Sequence, residues 1–311
     1  MRLIALALLW PALAFGAVDS KDAAFLSQGF RLFGTLTVPA GSAPRAAVLI
    51  IPGTGPLDRD GSSKAAPQVP PVYKMWAERL GDAGIAALRY DKRVLTYTDV
   101  DAVAFDQEAQ IADAQAALRY LRSQVPGKPV FVIGHSEGGM MAPLVSEREK
   151  TAAGVIVINA VQFPIDELVI EQVKAGGAEQ TYIDSVTTVF ARMKDGSFPV
   201  KGQLFGAGQN YWLQWIKYST ESTKTLSRSK VPVLLIQCMD DETLPGPTLE
   251  RNVKALRTVQ KAQLRLLKDH DHLGMQRGGH EPSPEFMRTL INWISTASRA
   301  PAAPSPSKKQ G

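Results

Sequence analysis

A serine between two glycines is the feature of this sequence that most clearly suggests chemistry. The segment VFVIGHSEGGMMAP, residues 130–143, places Ser136 between Gly134 and Gly138, directly after a run of strand-forming residues. A sharp strand-to-helix turn would project the serine hydroxyl from the backbone and leave no room for side chains at the two glycines. We therefore interpret Ser136 as a nucleophile. The alternative is a bystander serine in a glycine-rich turn.

A serine of this kind needs a base, and the chain has four histidines. His135 is fixed beside the serine, and His280 lies in the turn-like segment RGGHEPSP. His270 and His272 both follow the strand-like segment QLRLLKD, where the base is required. His272 is the predicted base, because the apolar residue after it can hold its loop rigidly. His270 is the weaker candidate and is interpreted as a supporting or solvent-facing residue.

The acid that orients the histidine is predicted after the apolar run VPVLLIQC. That run continues into MDDETLP, which offers Asp240, Asp241 and Glu242. Neighbouring residues at a strand end point to different sides of the sheet, so only one carboxylate is expected to face the histidine. Asp241 is preferred over Asp240, and a solvated acidic turn is the alternative for either. A buried acid would hold the imidazole tautomer without taking its proton.

Two backbone amides are expected to hold the negative oxygen of a tetrahedral intermediate. One is the amide of Glu137, the residue after the serine. We assign the other to Thr54, in the loop PGTGPLDRDG that follows the apolar run AAVLII. Small residues in this loop would let backbone N–H groups approach a substrate. The role of the Glu137 carboxylate stays open at this point.

Strands that alternate with helices would position these residues. Five continuous apolar runs are typical of strands covered on both faces, and helical patterns such as DQEAQIADAQAALRYLRSQ separate several of them. Before them, GFRLFGTLTVPAG alternates as an antiparallel strand pair would. This order predicts an α/β fold with a mostly parallel central sheet flanked by helices. The five runs are AAVLIIPG, IAALRYD, PVFVIGH, GVIVINA and VPVLLIQC.

A segment of about residues 161–229 interrupts this alternation before the acid-bearing strand. It contains two helix-like pieces and an aromatic cluster that includes Tyr211, Trp212 and Trp215. It is too long for an ordinary connection, so we predict a helical cap over the carboxyl edge of the sheet. The three aromatic residues are candidate substrate contacts in the cap. Packing of the cluster against the sheet is the alternative.

Taken together, the segments resemble the α/β-hydrolase superfamily, and within it the single-domain esterases and serine-aminopeptidase-like hydrolases. The resemblance covers about residues 28–297, and the order serine, acid, histidine is that of the family. The family's acid-loop pattern aligns with Asp241, and its histidine precedes an apolar residue as His272 does. Two departures lie at the entrance: Pro52 replaces a histidine, and VLTYTD replaces a glycine-rich continuation. The five matching segments are PGTGPLDRDG, RYDKR, GHSEGGMMAP, QCMDDETLP and DHDHL.

The triad and the resemblance imply a serine hydrolase that cleaves carboxylic esters through an acyl-enzyme intermediate. Aminopeptidase and thioesterase activities use the same groups and stay as alternatives. The non-enzyme alternative is a catalytically inactive small-molecule-binding protein, which would have no use for a complete triad. The expected partner is a small-molecule ester or a short acyl or peptidyl substrate. No cofactor is expected, and the histidines lack a metal-binding spacing.

We interpret the charged residues outside the predicted triad as mainly structural. The net charge of +5 is interleaved with acidic residues, which argues against nucleic-acid binding. Near the site, Arg59, Asp60, Asp91 and Arg93 are interpreted as ion pairs that hold loops. Binding of a substrate carboxylate is their alternative role.

The two ends of the chain are set apart from the predicted hydrolase domain, residues 18–297. Residues 1–17 combine Arg2, an apolar run and small residues, the pattern of a signal peptide, and the run is shorter than the roughly 20 residues of a membrane anchor. We therefore expect a periplasmic or secreted protein with no stable membrane anchor after processing. The single cysteine, Cys238, excludes an intramolecular disulfide. Residues 298–311 are predicted to be a disordered tail.

Overall fold

The computed structural model describes residues 18–64, 67–97 and 105–299. The predicted signal peptide, residues 1–17, and nearly all of the predicted tail lie outside the described residues, so both stay predictions. Ten strands are described: β1 (Val18–Ser27), β2 (Phe30–Pro39), β3 (Ala46–Ile51), β4 (Ile85–Tyr90), β5 (Val130–His135), β6 (Gly154–Ile158), β7 (Gln203–Leu204), β8 (Ala207–Gly208), β9 (Val233–Cys238) and β10 (Gln263–Leu267). The described helices are α1 (Val72–Asp82), α2 (Arg93–Thr96), α3 (Gln107–Gln124), α4 (Glu137–Glu149), α5 (Ile165–Ala175), α6 (Gln180–Asp195), α7 (Gln209–Ser227), α8 (Thr248–Leu256) and α9 (Pro284–Ala297).

Eight of the strands form one sheet in the spatial order β1-β2-β4-β3-β5-β6-β9-β10. The six strands from β4 to β10 in this order run parallel, whereas β1 and β2 are antiparallel to each other and β2 is antiparallel to β4. Helices α3 and α4 cover one face, and α1 and α9 cover the other. The prediction of a mostly parallel sheet flanked by helices is therefore confirmed.

The continuous apolar runs form strands because both of their faces are buried. Every residue of β3, β4, β5, β6 and β9 is buried. Such strands give up water on both sides and need an apolar residue at every position. The strand β10 lies at the edge of the sheet and is only partly buried, and its sequence QLRLL alternates accordingly.

The prediction of a strand pair within GFRLFGTLTVPAG is wrong. This segment forms the single strand β2, and its partner is β1, with Val18 opposite Pro39 and Ser27 opposite Phe30. The two-residue turn between them has positive φ at both positions, 47° at Gln28 and 84° at Gly29, as tight hairpins require. The first half of β1 is exposed and carries charged residues, so it gave no apolar signal.

Between β6 and β9, the helices α5, α6 and α7 and the short β7-β8 hairpin form the inserted segment. The structure has three helices there, whereas two were predicted. Helix α7 contacts α3 and α4, which pack on the central sheet, and α5 contacts both α6 and α7. Hereafter we call residues 165–227 the cap. No helix in the described ranges has the length and apolar character needed to cross a membrane.

Candidate active site

Ser136 lies in a strained turn between β5 and α4. Its backbone has φ 54° and ψ −120°, a conformation that residues with side chains rarely adopt. The chain can make this turn only because of its glycines. A Cβ atom on Gly134 would lie 2.1 Å from the Gly138 carbonyl oxygen, and one on Gly138 would lie 2.3 Å from the Ile51 carbonyl oxygen. Both glycines are therefore required by close backbone contact at the turn.

The structure brings Asp241 and His272 together. The His272 Nδ1–H lies 3.0 Å from each carboxylate oxygen of Asp241. Asp241 is buried and also accepts hydrogen bonds from the Thr243 backbone N–H at 3.0 Å and from the Thr243 hydroxyl at 2.7 Å. The carboxylate is thus held in place before it orients the imidazole. Sequence reasoning missed Thr243, although it lies within the same acid loop.

The charges of this pair shift both pKa values. Burial lowers the pKa of His272, but the nearby Asp241 carboxylate more than offsets that effect, so the pKa is raised from 6.5. Burial raises the pKa of Asp241, and the His272 charge and the hydrogen bonds together bring it below its usual value. The arrangement therefore stabilises an imidazolium facing a carboxylate, which is the ion pair that a general base forms in the transition state.

Asp240 and His270, the two weaker candidates for the acid and the base, lie in different environments from Asp241 and His272. Asp240 is exposed. His270 is fully buried: its Nδ1–H donates to the Lys268 carbonyl oxygen at 2.6 Å, and its Nε2 accepts from the Ser283 hydroxyl at 2.5 Å. Ser283 caps α9 by accepting from the Phe286 amide. Of the two roles interpreted for His270, the solvent-facing one is wrong, because this side chain joins the histidine loop to the last helix.

A chain of hydrogen bonds through His135 connects three loops of the site. The Gly53 N–H donates to the Tyr73 hydroxyl at 2.8 Å, and the Tyr73 hydroxyl lies 2.9 Å from His135 Nδ1. On the other side of the ring, Nε2–H donates to the His272 carbonyl oxygen at 2.9 Å, which fixes the tautomer. The Asn159 amide donates to the same carbonyl at 2.8 Å. These contacts hold the backbone of the loop that carries His272.

His135 performs this task as a neutral ring. Burial lowers its pKa to about 3, and repulsion from the nearby His272 acts in the same direction. The two ring centroids are 4.6 Å apart, so a second positive charge there would oppose the imidazolium of His272. Sequence reasoning missed Tyr73 and Asn159. A polar residue straight after the apolar strand β6 was a usable signal for Asn159, whereas Tyr73 gave none.

The two amides assigned to the oxyanion hole are available. Within the described ranges, neither the Thr54 N–H nor the Glu137 N–H donates to a protein acceptor, whereas the Gly53 N–H donates to the Tyr73 hydroxyl. Both Thr54 and Glu137 line the same cavity as Ser136 and His272. The Glu137 carboxylate is buried in the protein, where Lys92 binds it.

The cavity in front of Ser136 has a volume of about 550 Å³, and most of its far wall comes from the cap. Of the three candidate substrate contacts, Trp212 and Trp215 line the cavity, but Tyr211 does not. Tyr211 instead donates its hydroxyl to Glu137 at 2.5 Å, because that buried carboxylate needs donors. Phe205, at the tip of the β7-β8 hairpin, is 54% exposed and lies at the rim. The apolar residues that line the cavity are Leu57, Val69, Val72, Val161, Ile165, Leu168, Val169, Val173, Phe205, Trp212, Trp215, Leu244 and Leu273.

The charged residues near the entrance form ion pairs. The Arg59 side chain donates to Asp91 through Nε at 3.0 Å, and Arg89 pairs with Asp60. Arg93 donates to Asp113 through Nε at 2.9 Å. None of these side chains lines the cavity. Among the residues that the structure describes, no cluster of histidine, cysteine and carboxylate side chains could hold a metal ion.

Comparisons with known proteins find similarity to hydrolases. Residues 71–186 match the family described as serine aminopeptidase, S33. Esterase EstD from Thermotoga maritima is 29% identical over 266 residues, which cover 82% of this chain but 61% of that protein.

Solved structures share the fold at low identity. Est1E from Butyrivibrio proteoclasticus superposes with a TM-score of 0.58 at 15% identity, covering 89% of this chain and 98% of that one. A lipase in its open form superposes with a TM-score of 0.61 at 19% identity, covering 91% and 100%. The mostly parallel sheet with helices on both faces and the similarity to these solved structures show that the chain has the α/β-hydrolase fold, as its sequence predicted.

Proposed function

We propose that this protein is a serine hydrolase that cleaves carboxylic esters. The observation that carries the proposal is the His272 imidazole, held by the buried Asp241 carboxylate in the cavity that Ser136 lines. The similarity to an esterase supports ester hydrolysis, and the serine-aminopeptidase family supports the use of a nucleophilic serine. The match spans less than two thirds of the esterase, so the geometry of the site carries most of the argument.

In the first half of the reaction, the Ser136 Oγ attacks the carbonyl carbon of the ester. His272 Nε2 takes the hydroxyl proton, and Asp241 stabilises the resulting imidazolium. The carbonyl oxygen becomes an oxyanion, which accepts hydrogen bonds from the Thr54 and Glu137 amides. His272 then gives its proton to the alcohol oxygen as the carbon–oxygen bond breaks.

In the second half, water replaces the alcohol. His272 removes a proton from this water, the hydroxide oxygen attacks the acyl carbon, and a second oxyanion forms in the same hole. Collapse of this intermediate breaks the bond to Ser136 and returns the proton from His272 to the serine oxygen. The products are a carboxylic acid and the regenerated enzyme.

The character of the cavity wall favours esters over aminoacyl substrates. An aminopeptidase needs a carboxylate to bind the ammonium group of its substrate. Glu137 is the one acidic residue among the described residues that line the cavity, and Lys92 already neutralises its carboxylate. No lysine or arginine of the described chain lines it either. An uncharged, apolar acyl group therefore fits this wall best.

A substrate panel tests this proposal. We expect turnover of p-nitrophenyl butyrate and hexanoate, with aminoacyl p-nitroanilides remaining at the level of the Ser136→Ala variant, which serves as the blank. A thioester of the same acyl chain measures the third possibility. Faster cleavage of the aminoacyl anilides than of the esters would contradict the proposal and favour a peptidase.

The pH dependence of kcat/KM should report His272. The base works only as a neutral ring, and the Asp241 charge raises its pKa above 6.5 despite burial. Activity should therefore be complete at alkaline pH and fall as the pH decreases through this raised value. The measurement is kcat/KM for an uncharged ester from about pH 5 to about pH 9. An acid limb centred below 6.5 would contradict the assignment of His272 as the base.

A further inference from the structure

The carboxylate of Glu137 is buried beside the nucleophile and takes no part in the reaction described above. Its side chain has no exposed surface. Lys92 Nζ donates to one carboxylate oxygen at 2.9 Å. The other oxygen accepts from Gln107 at 2.8 Å, from Gln110 at 3.2 Å and from the Tyr211 hydroxyl at 2.5 Å. A buried carboxylate with four donors is a built polar cluster, which we call the Glu137 cluster.

The negative charge of the Glu137 carboxylate lies close to the proposed oxyanion hole. Glu137 is the first residue of α4, and its own backbone N–H is one of the two proposed oxyanion donors. Burial raises the pKa of its carboxyl group, but the Lys92 charge and the hydrogen bonds more than offset this effect. The pKa is therefore below its usual value, and the group is ionised at neutral pH. A second negative charge close to a developing oxyanion is unfavourable where the dielectric constant is low. Lys92, itself buried, supplies the opposite charge.

The cluster also joins the cap to the serine turn. Lys92 follows β4, the two glutamines lie on α3, and Tyr211 lies on the cap helix α7. The Tyr211 ring packs edge-on against Trp212 and Trp215, at centroid distances of 5.2 and 5.6 Å. Both tryptophans line the cavity. The hydrogen bond from Tyr211 to Glu137 thus connects the cap wall to the residue whose N–H is a proposed oxyanion donor.

We propose that the Glu137 carboxylate is a positioning group that holds the oxyanion-hole amide and the cap wall together, with Lys92 as its required counter-charge. The proposal rests on the proposed function, because it concerns the same transition state. An ion pair that only stabilised the fold would change activity in proportion to stability. Buried pairs can often be replaced by neutral residues at no cost in stability, so a purely structural role predicts no special effect of charge.

Three variants separate the two roles: Lys92→Met, Glu137→Gln and the double variant. Lys92→Met leaves an uncompensated negative charge next to the oxyanion hole, and we expect kcat to fall by about 10²-fold with little change in KM. Glu137→Gln leaves a positive charge instead. Its kcat should therefore fall by less than about 10-fold, even if its Tm falls as much as that of Lys92→Met. The double variant is neutral and should recover most of the kcat lost in Lys92→Met. Losses that simply add, or that follow Tm, would overturn the proposal.

The link to the cap needs a separate variant. Tyr211→Phe removes one hydrogen bond from Glu137 and keeps the ring, so we expect a several-fold rise in KM for a hexanoyl ester. Tyr218→Phe is the matched control: Tyr218 lies on the same helix, but its hydroxyl donates to Glu108 and not to Glu137. Equal KM values for the two variants would overturn the role of Tyr211.

A second readout distinguishes failure of this proposal from failure of the proposed function. The rate at which a fluorophosphonate modifies Ser136 depends on the nucleophile and the oxyanion hole but not on ester turnover. The same order of variants, with Lys92→Met slowest and the double variant recovered, is expected in this assay. If the wild type is modified but hydrolyses no ester, the proposed substrate is wrong. The modification rates of the variants then still test the role of the Glu137 cluster. A wild type that is not modified at all overturns both.

Discussion

Replacing Ser136 with alanine is expected to lower kcat for ester hydrolysis by on the order of 10⁶ and to leave the fold unchanged. The variant loses the only atom that can form the acyl-enzyme, whereas the oxyanion hole and the cavity persist. Alanine keeps a Cβ atom and no more, so the strained φ of 54° at this position is neither relieved nor worsened. Kinetics with p-nitrophenyl butyrate measure the effect, and circular dichroism verifies the fold.

A buried serine outside the site provides the control. The Ser222 hydroxyl, on α7, is buried without a hydrogen-bond partner, so Ser222→Ala should remain fully active. Near-wild-type turnover by Ser136→Ala would show that this serine is a bystander in its turn and would remove the basis of the proposed mechanism.

The Asp241→Asn variant is expected to lower kcat by about 10⁴ while preserving the shape of the site. The carboxylate accepts the Nδ1–H of His272 and so keeps Nε2 free to take the serine proton. An asparagine amide can donate to Nδ1 instead, which favours the tautomer with Nε2 already protonated. Loss of the negative charge also removes the main cause of the raised pKa of His272. The acid limb of the pH profile should therefore move to lower pH.

The neighbouring residue is the matched control for this variant. Asp240 has the same side chain but is exposed. Asp240→Asn should leave kcat within about 2-fold of the wild type, as expected for a surface substitution away from the site. The assignment of the acid would be reversed if Asp240→Asn were the damaging change and Asp241→Asn were tolerated.

Residues whose role depends on neighbours in the sequence could be predicted, and those whose role depends on distant contacts could not. Gly134 and Gly138 flank Ser136 in the chain, so the spacing alone predicts the turn that their backbone contacts require. In contrast, Tyr73 reaches His135 across 62 positions, and nothing in its own segment marks it. Contacts of that kind are made by the sheet, which brings the carboxyl ends of separate strands together.

The role of Tyr211 also depends on a contact that is distant in the sequence. Its place in an aromatic cluster suggested a substrate contact, but the cluster could not reveal that a carboxylate 74 positions away would accept a hydrogen bond from its hydroxyl. The strand β1 was missed for another reason. Its edge position exposes Asp19, Lys21 and Asp22, and a strand with so few buried residues has no apolar alternation to read.

The proposed function requires Ser136 to be an activated nucleophile, and labelling with a fluorophosphonate followed by peptide mass spectrometry measures this most directly. We predict one adduct, on Ser136, that forms rapidly in the wild type and much more slowly in His272→Ala. No adduct on Ser136, under conditions that label a control hydrolase completely, would contradict the proposed function and favour a binding protein that has kept the fold without the chemistry.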